Sequence, residues 1–182
     1  MRLGGCGAVT ACDLCIYLAK HRNLSALYPF DPHTVTIEQY LAFGTQMRAY
    51  LSPRPTGIDK TEIFVDGFND YLNSCGVHPI RLQNFSGDED TELAVRWIRD
   101  QINRGFPVPY LMLMHRDKRL KDFMWHWFLL NGYDESADTF RVKAVSYGEA
   151  VWLDLRRLWQ TGRKQKGGVV LIYPEPENDA AE

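Results

Sequence analysis

The sequence predicts an α+β fold, with helices in the N-terminal half and an antiparallel sheet in the C-terminal half. Apolar residues recur at helical spacing in three segments before residue 76, and each segment ends at a turn signal containing proline or glycine. Beyond residue 78, short apolar runs typical of strands predominate. Two of them surround the turn sequence DESAD, as in a β-hairpin. Helices first and strands afterwards indicate a domain with segregated halves.

The first three helices are predicted from their apolar faces and their end signals. The first is expected over residues 7–20, and the second begins at Thr36, which forms a capping-box pattern with Gln39. The third covers residues 61–73 and ends at Cys75 and Gly76, as a glycine C-cap would end it. The apolar faces predicted for the first two helices are Val9, Cys12, Ile16 and Ala19, and Ile37, Tyr40, Leu41 and Met47.

The second half of the chain alternates apolar runs with turn sequences. A fourth helix follows the capping sequence SGDEDT, and LDLRRLW predicts one or two further helical turns. The predicted strands cover residues 78–85, 108–114, 124–133, 140–147 and 167–173.

Length and composition favour one domain. The 182 residues, 45% of them hydrophobic, suffice for a single buried core, expected over residues 1–173. The acidic tail PEPENDAAE, residues 174–182, is expected to be disordered. A net charge of -2 offers no electrostatic reason to expect a nucleic-acid or membrane partner. The oligomeric state is left open.

Three features of the sequence bear on the cellular compartment. LGGC has the form of a lipoprotein cleavage box, but five residues before Cys6 leave no room for an apolar signal segment. The apolar run that follows contains Asp13 and is too short to span a bilayer. Three of the four cysteines crowd into ten residues, unlike a spaced disulfide framework. We therefore expect a reduced, cytoplasmic protein.

The sequence position of Cys6 is typical of a reactive thiol. It stands between glycines at the start of the first helix, where unpaired N–H groups and the helix dipole favour the thiolate. A nucleophilic thiol also needs a base, for which histidine is the usual choice. Of the five histidines, only His126 begins a strongly apolar strand that would hold its ring in a fixed position.

Four segments carry a resemblance to a known family. GGCGAVTACDLCIYLA, IRDQINRGFPVPYLMLM, HWFLLNGYD and VWLDLRRLW occur in that order between Cys6 and Trp159. In order and character they resemble papain-like cysteine peptidases, nearest to the bacteriocin-leader (double-glycine) peptidase-like group. The resemblance implies a papain-like fold, with Cys6 as nucleophile and His126 as general base and acid.

The resemblance also implies a third residue, an Asp or Asn that orients the histidine. Val145 falls at that place, and Ser146 is the nearest polar neighbour, so Ser146 is the candidate. Counting from a turn centred near Ser136 and Ala137 places His126 opposite Ser146 or Tyr147. The family's oxyanion glutamine, several residues before the cysteine, has no counterpart ahead of Cys6.

Two functions from different classes follow. The first is a thiol hydrolase or acyltransferase that acts on a peptide amide or an ester through an acyl-enzyme on Cys6, with a peptide or small acyl substrate. The alternative is a catalytically inactive papain-like binding module, which Val145 and the missing glutamine favour. No cofactor is expected. A zinc site is rejected because Cys6, Cys12, Cys15 and His21 would string the ligands along one helix, and a mid-helix CDLC argues against thioredoxin-like chemistry.

Overall fold

The computed structural model describes residues 5–174, and it has helices first and one antiparallel sheet afterwards. The helices are α1 Cys6–His21, α2 Ile37–Met47, α3 Thr61–Ser74, α4 Thr91–Asn103 and α5 Leu155–Trp159. The strands are β1 Ile80–Ser86, β2 Val108–Met112, β3 His126–Glu135, β4 Phe140–Ser146, β5 Glu149–Asp154 and β6 Gly167–Pro174. They lie in the order β1-β6-β2-β3-β4-β5, each antiparallel to its neighbours. The predicted α+β fold with segregated halves is confirmed.

The sheet separates two apolar cores, because successive side chains of a strand point to opposite faces. Trp127 and Leu129 of β3 pack with α1 and α3, in what we call the α1 core. Phe128 and Leu130 pack with α4 and α5, in what we call the α4 core. Most apolar side chains of the central strands are therefore fully buried.

The helices begin and end close to where their sequence signals place them. The capping box of α2 is present: Thr36 Oγ1 accepts the N–H of Gln39, and Gln39 Oε1 accepts the N–H of Thr36. The predicted apolar face of α2 is wrong in part, since Ile37 is 70% exposed and Leu41 63%. Phe43 and Met47 of α2 are buried, and Tyr40 is partly buried against the α1 core, so α2 contacts this core through these three residues. In α1, Val9 and Ile16 are half-buried rather than central to the packed face.

The strands differ from the prediction at three places. β5, which pairs with β4 along its full length, was not predicted, because its residues are mostly exposed and lack a clear alternation. The β3–β4 register shifts between Leu130 and Tyr133, so Leu129 faces Val145 and the expected pairing of His126 is displaced. Pro174, assigned to the tail, ends β6, and the remainder of the tail lies outside the described residues.

No helix in the described part of the chain combines the length and apolar character needed to cross a bilayer.

A buried histidine anchors the charged segment between β2 and β3. His115 is 5% exposed, and its ring has two backbone partners: Nε2 lies 3.0 Å from the Arg157 carbonyl, and Nδ1 accepts the N–H of Asp117 at 2.8 Å. Because a carbonyl only accepts, Nε2 carries the proton and the ring is neutral. Burial lowers the pKa of His115, against a smaller opposing effect of the Asp117 charge.

This anchor predicts a loss of stability in mild acid. We expect the free energy of unfolding to fall as the pH drops below about 6.5, where the unfolded histidine takes up a proton that folded His115 resists. The loss continues until the pH passes the lowered folded pKa. Urea unfolding at about pH 7.5 and about pH 5 should show a larger loss in the wild type than in a His115→Gln variant.

The comparison with His115→Gln removes the contribution of other titrating groups. Burial raises the pKa of Asp13, so this residue makes the free energy of unfolding rise in acid, which is opposite to the effect of His115. Burial also lowers the pKa of His126. Both residues are present in the wild type and in the variant, so their contributions cancel in the comparison. Equal losses of stability in the two proteins would contradict the assigned role of His115.

Candidate active site

Cys6 is the first residue of α1, as its sequence position predicts. Gly5 is the N-cap and supplies no side chain to the free N–H groups, and the first turn contains no acidic residue. The thiol is half-buried and not in a disulfide. The N–H groups and dipole at a helix N-terminus favour negative charge on this sulfur and on a substrate oxyanion beside it.

The glycine that follows Cys6 has a packing role. A Cβ on Gly7 would lie 2.9 Å from Cδ1 of Ile58, so glycine lets the segment before α3 approach the first turn of α1. That segment is fixed by Trp127, whose Nε1 donates to the Ile58 carbonyl at 2.6 Å. Gly7 therefore allows the segment around Ile58 to pack beside Cys6, in addition to leaving the sulfur accessible.

Cys6 opens into a mostly apolar cavity of about 330 Å³, which we call the cysteine cavity. Its walls come from the segment before α3, from β2 and its extension, and from the residue before β3: Pro55, Thr56, Gly57, Ile58, Leu111, Leu113 and Trp125. Trp125 is 45% exposed and forms part of the rim. The cavity is large enough for an apolar side chain or a short acyl group next to the sulfur.

His126, the first residue of β3, contacts Ser146 at the end of β4. His126 Nε2 and Ser146 Oγ are 2.7 Å apart. The imidazole also lies against Phe128 and Tyr147, with ring centroids 6.2 and 5.2 Å apart. Burial lowers the pKa of His126, so the ring is neutral at pH 7 and able to accept a proton.

The His126–Ser146 contact determines what the ring can do. A serine hydroxyl can accept from Nε2–H or donate to a bare Nε2. In the first case Nδ1 is unprotonated and can act as a base; in the second Nδ1 carries the hydrogen. A carboxylate would permit only the first arrangement, and would also stabilise the imidazolium.

Ser146, and not Val145, stands at the orienting position. Val145 pairs with Leu129, a residue of the α1 core, and directly opposed residues share a face of the sheet. Ser146 shares its face with Ala144 of the α4 core, and it lines a recess of about 260 Å³ with His126, which we call the histidine recess. A polar group at position 145 would therefore point away from the histidine.

No hydrogen bond joins Cys6 to His126 in the described part of the chain. Within residues 5–174 the Cys6 thiol makes no hydrogen bond, and the two residues line separate spaces, the cysteine cavity and the histidine recess. The structure thus brings together His126 and Ser146 of the three predicted site residues. It does not join either of them to the nucleophile.

Tyr147 lines the histidine recess and was not predicted as a site residue. It lies beside the His126 ring, and its pKa is raised by burial and, to a lesser extent, by the negative charges of Cys6 and Asp13. With Gly148 it forms the turn between β4 and β5, and both have positive φ, 51° and 81°. Such a turn favours Asn or Gly at both positions, so the dipeptide Tyr-Gly was only half of the usual signal.

A second polar pair joins α1 to α2. Tyr40 donates to Asp13 Oδ1 at 2.7 Å, and burial raises the pKa of Asp13 against the smaller opposing effect of this bond. Asp13 in an otherwise apolar helix was the only sequence signal for it.

Comparisons of the chain with known families, curated proteins and solved structures found no match. The site must therefore be interpreted from its own geometry. Among residues 5–174, no cluster of three or more His, Cys, Asp or Glu side chains is arranged to hold a metal ion.

Proposed function

We propose that this chain is a papain-like, cysteine-dependent hydrolase or acyltransferase acting on a peptide amide or an ester. The observation that carries the proposal is the His126–Ser146 contact at 2.7 Å; when Ser146 accepts the Nε2 hydrogen, Nδ1 of the neutral imidazole is available as a base. The free thiol of Cys6 at a helix N-terminus supplies the nucleophile. The order of the four family-like segments gives independent support.

The proposed reaction follows from these groups. The Cys6 thiol passes its proton to Nδ1 of His126, and the sulfur attacks the substrate carbonyl carbon. N–H groups at the start of α1 stabilise the resulting oxyanion. His126 returns the proton to the leaving amine or alcohol, leaving an acyl group on Cys6. Water then releases a carboxylic acid, or an acceptor amine takes the acyl group.

The reaction requires the cysteine cavity and the histidine recess to join. Tyr147 lies beside the His126 ring in the histidine recess, the charge of Cys6 contributes to the rise of its pKa, and the residue is 52% exposed, so we assign this join to a displacement of Tyr147 when substrate binds. Solvent-exposed side chains change rotamer on a timescale far shorter than enzymatic turnover.

Acylation by p-nitrophenyl acetate, followed by intact-protein and peptide mass spectrometry, tests the proposal. We expect one acetyl group on the wild type, located on Cys6, and none on Cys6→Ala. The matched control is Cys75→Ala, which removes the other half-buried thiol and should acylate like the wild type. Acylation of Cys75 at the rate of Cys6, or of neither, would overturn the proposal.

The separation of Cys6 from His126 favours the second candidate, an inactive papain-like binding module. Such a module would bind peptides in the cysteine cavity without turnover, and Cys6→Ala would leave that affinity unchanged. Release of product by the wild type and not by Cys6→Ala excludes this candidate.

A further inference from the structure

A second cavity lies between α1 and α2, outside the candidate active site. Its volume is about 510 Å³, within the range of small-molecule sites. The apolar part of its lining comes from the first two turns of α1, from α2 and from the segment after α2: Ala8, Val9, Cys12, Leu41 and Pro53. Tyr40 is the aromatic side chain of the lining, and the remaining apolar walls suit a flexible aliphatic group.

Gly44, in the middle of α2, leaves this cavity open. A glycine inside a helix costs about 1 kcal/mol relative to alanine, so a packing reason is expected. Gly67 of α3 has one, because a Cβ there would lie 2.4 Å from the Tyr50 carbonyl oxygen. Gly44 has none: a Cβ there would meet nothing within 4 Å. The space beside Gly44 is therefore open within the described residues, and it belongs to the cavity.

Leu41 indicates that the cavity continues to the surface. Leu41 lines the cavity and yet is 63% exposed, so residues 5–174 leave most of this apolar side chain uncovered at the rim. A ligand chain lying between α1 and α2 would cover it.

Arg48 determines the charge of the ligand. Of the polar side chains at the cavity, Tyr40 already donates to Asp13, and Thr45 donates to the Leu41 carbonyl. Arg48 lines the cavity, and its guanidinium has no ion pair or hydrogen-bond partner within residues 5–174. A guanidinium at the end of an apolar space matches a carboxylate, which it can bind through two parallel hydrogen bonds.

We propose that this cavity binds a medium-length aliphatic carboxylate, with the chain between α1 and α2 and the carboxylate on Arg48. The site is separate from the chemistry proposed for Cys6, and loss of the Cys6 thiol should leave it intact.

Isothermal titration calorimetry with decanoate tests the site in the full chain. The wild type and Gly44→Ala should bind decanoate, because alanine leaves most of the space open. Gly44→Leu should bind it at least about tenfold more weakly, since the leucine side chain occupies the cavity. Arg48→Gln should weaken decanoate binding about tenfold and leave decanol binding unchanged. Thermal unfolding of each variant checks that the variant is folded.

Several results would overturn the proposal. If Gly44→Leu and the wild type bind decanoate with equal affinity, decanoate binds elsewhere. If Arg48→Gln and the wild type bind decanoate with equal affinity, Arg48 does not bind the carboxylate. Absence of binding to the folded wild type would also refute it. Binding that appears only in a Leu3→Asp variant would assign the cavity to the chain's own first residues. A dimer of the wild type that is lost in Gly44→Leu would assign it to a second copy.

Discussion

Replacement of Trp127 by alanine is expected to lower the free energy of unfolding by about 3–5 kcal/mol. Trp127 is 1% exposed at the centre of the α1 core and stacks on Phe64 with ring centroids 4.5 Å apart. Its removal leaves a cavity that the close-packed surroundings fill only in part. It also removes the indole donor and leaves the Ile58 carbonyl without its partner, which adds a desolvation cost.

Trp125→Ala is the matched control, two residues away. Trp125 is 45% exposed, and its indole N–H meets only the Met114 sulfur, so its loss should cost less than about 1 kcal/mol. Urea unfolding followed by far-UV circular dichroism measures both differences. Similar losses for the two variants would show that the packing assigned to Trp127 is incorrect.

Replacement of His126 by alanine is expected to slow acylation of Cys6 by about 10²–10⁴-fold, the usual contribution of a general base. The wild-type rate should fall as the pH drops through the pKa of His126, which burial holds below its ordinary value. The neutral ring is present above that pKa and lost below it. Stopped-flow release of p-nitrophenol between about pH 5 and about pH 8 measures the profile.

Ser146→Asp tests how the histidine is oriented, with Val145→Asp as the matched control. An aspartate at 146 only accepts from Nε2–H, so it should raise the acylation rate and shift the profile of His126 to higher pH. An aspartate at 145 lies on the opposite face of the sheet and should not raise the rate. A rate unchanged by His126→Ala would contradict the assigned base, whatever the Ser146 variant does.

Local signals in the sequence predicted the helix ends, and they failed where distant packing decides. The capping box at Thr36 and the glycine after Cys75 depend on neighbours within a few residues, and both are present, with Gly76 at φ 65°. The exposure of Ile37 and Leu41 depends on how α2 packs against α1. A local sequence pattern carries no information about that packing. β5 is an edge strand with little buried surface, so it has no apolar alternation to recognise.

The same distinction between local sequence signals and distant packing applies to the candidate active site. The placement of Cys6 at the start of α1 and of His126 at the start of β3 follows from segment boundaries, and these were predictable. The register of Ser146 against His126 depends on the irregularity between Leu130 and Tyr133, where Asn131 and Gly132 are a sequence signal for a bulge that the prediction did not use. The position of Tyr147 and the separation of the two site spaces depend on the three-dimensional path of a turn.

The sheet that divides the interior has a consequence for energetic coupling. Side chains of the α1 core and the α4 core contact different partners, as Phe64 and Leu158 do, and a backbone layer lies between them. Truncations on opposite faces should therefore add in their effects on unfolding, whereas two truncations within one core should not. The protein then tolerates change on the α4 side without disturbing the packing around Cys6. The two faces of one sheet can vary almost independently while the chain still unfolds as a unit.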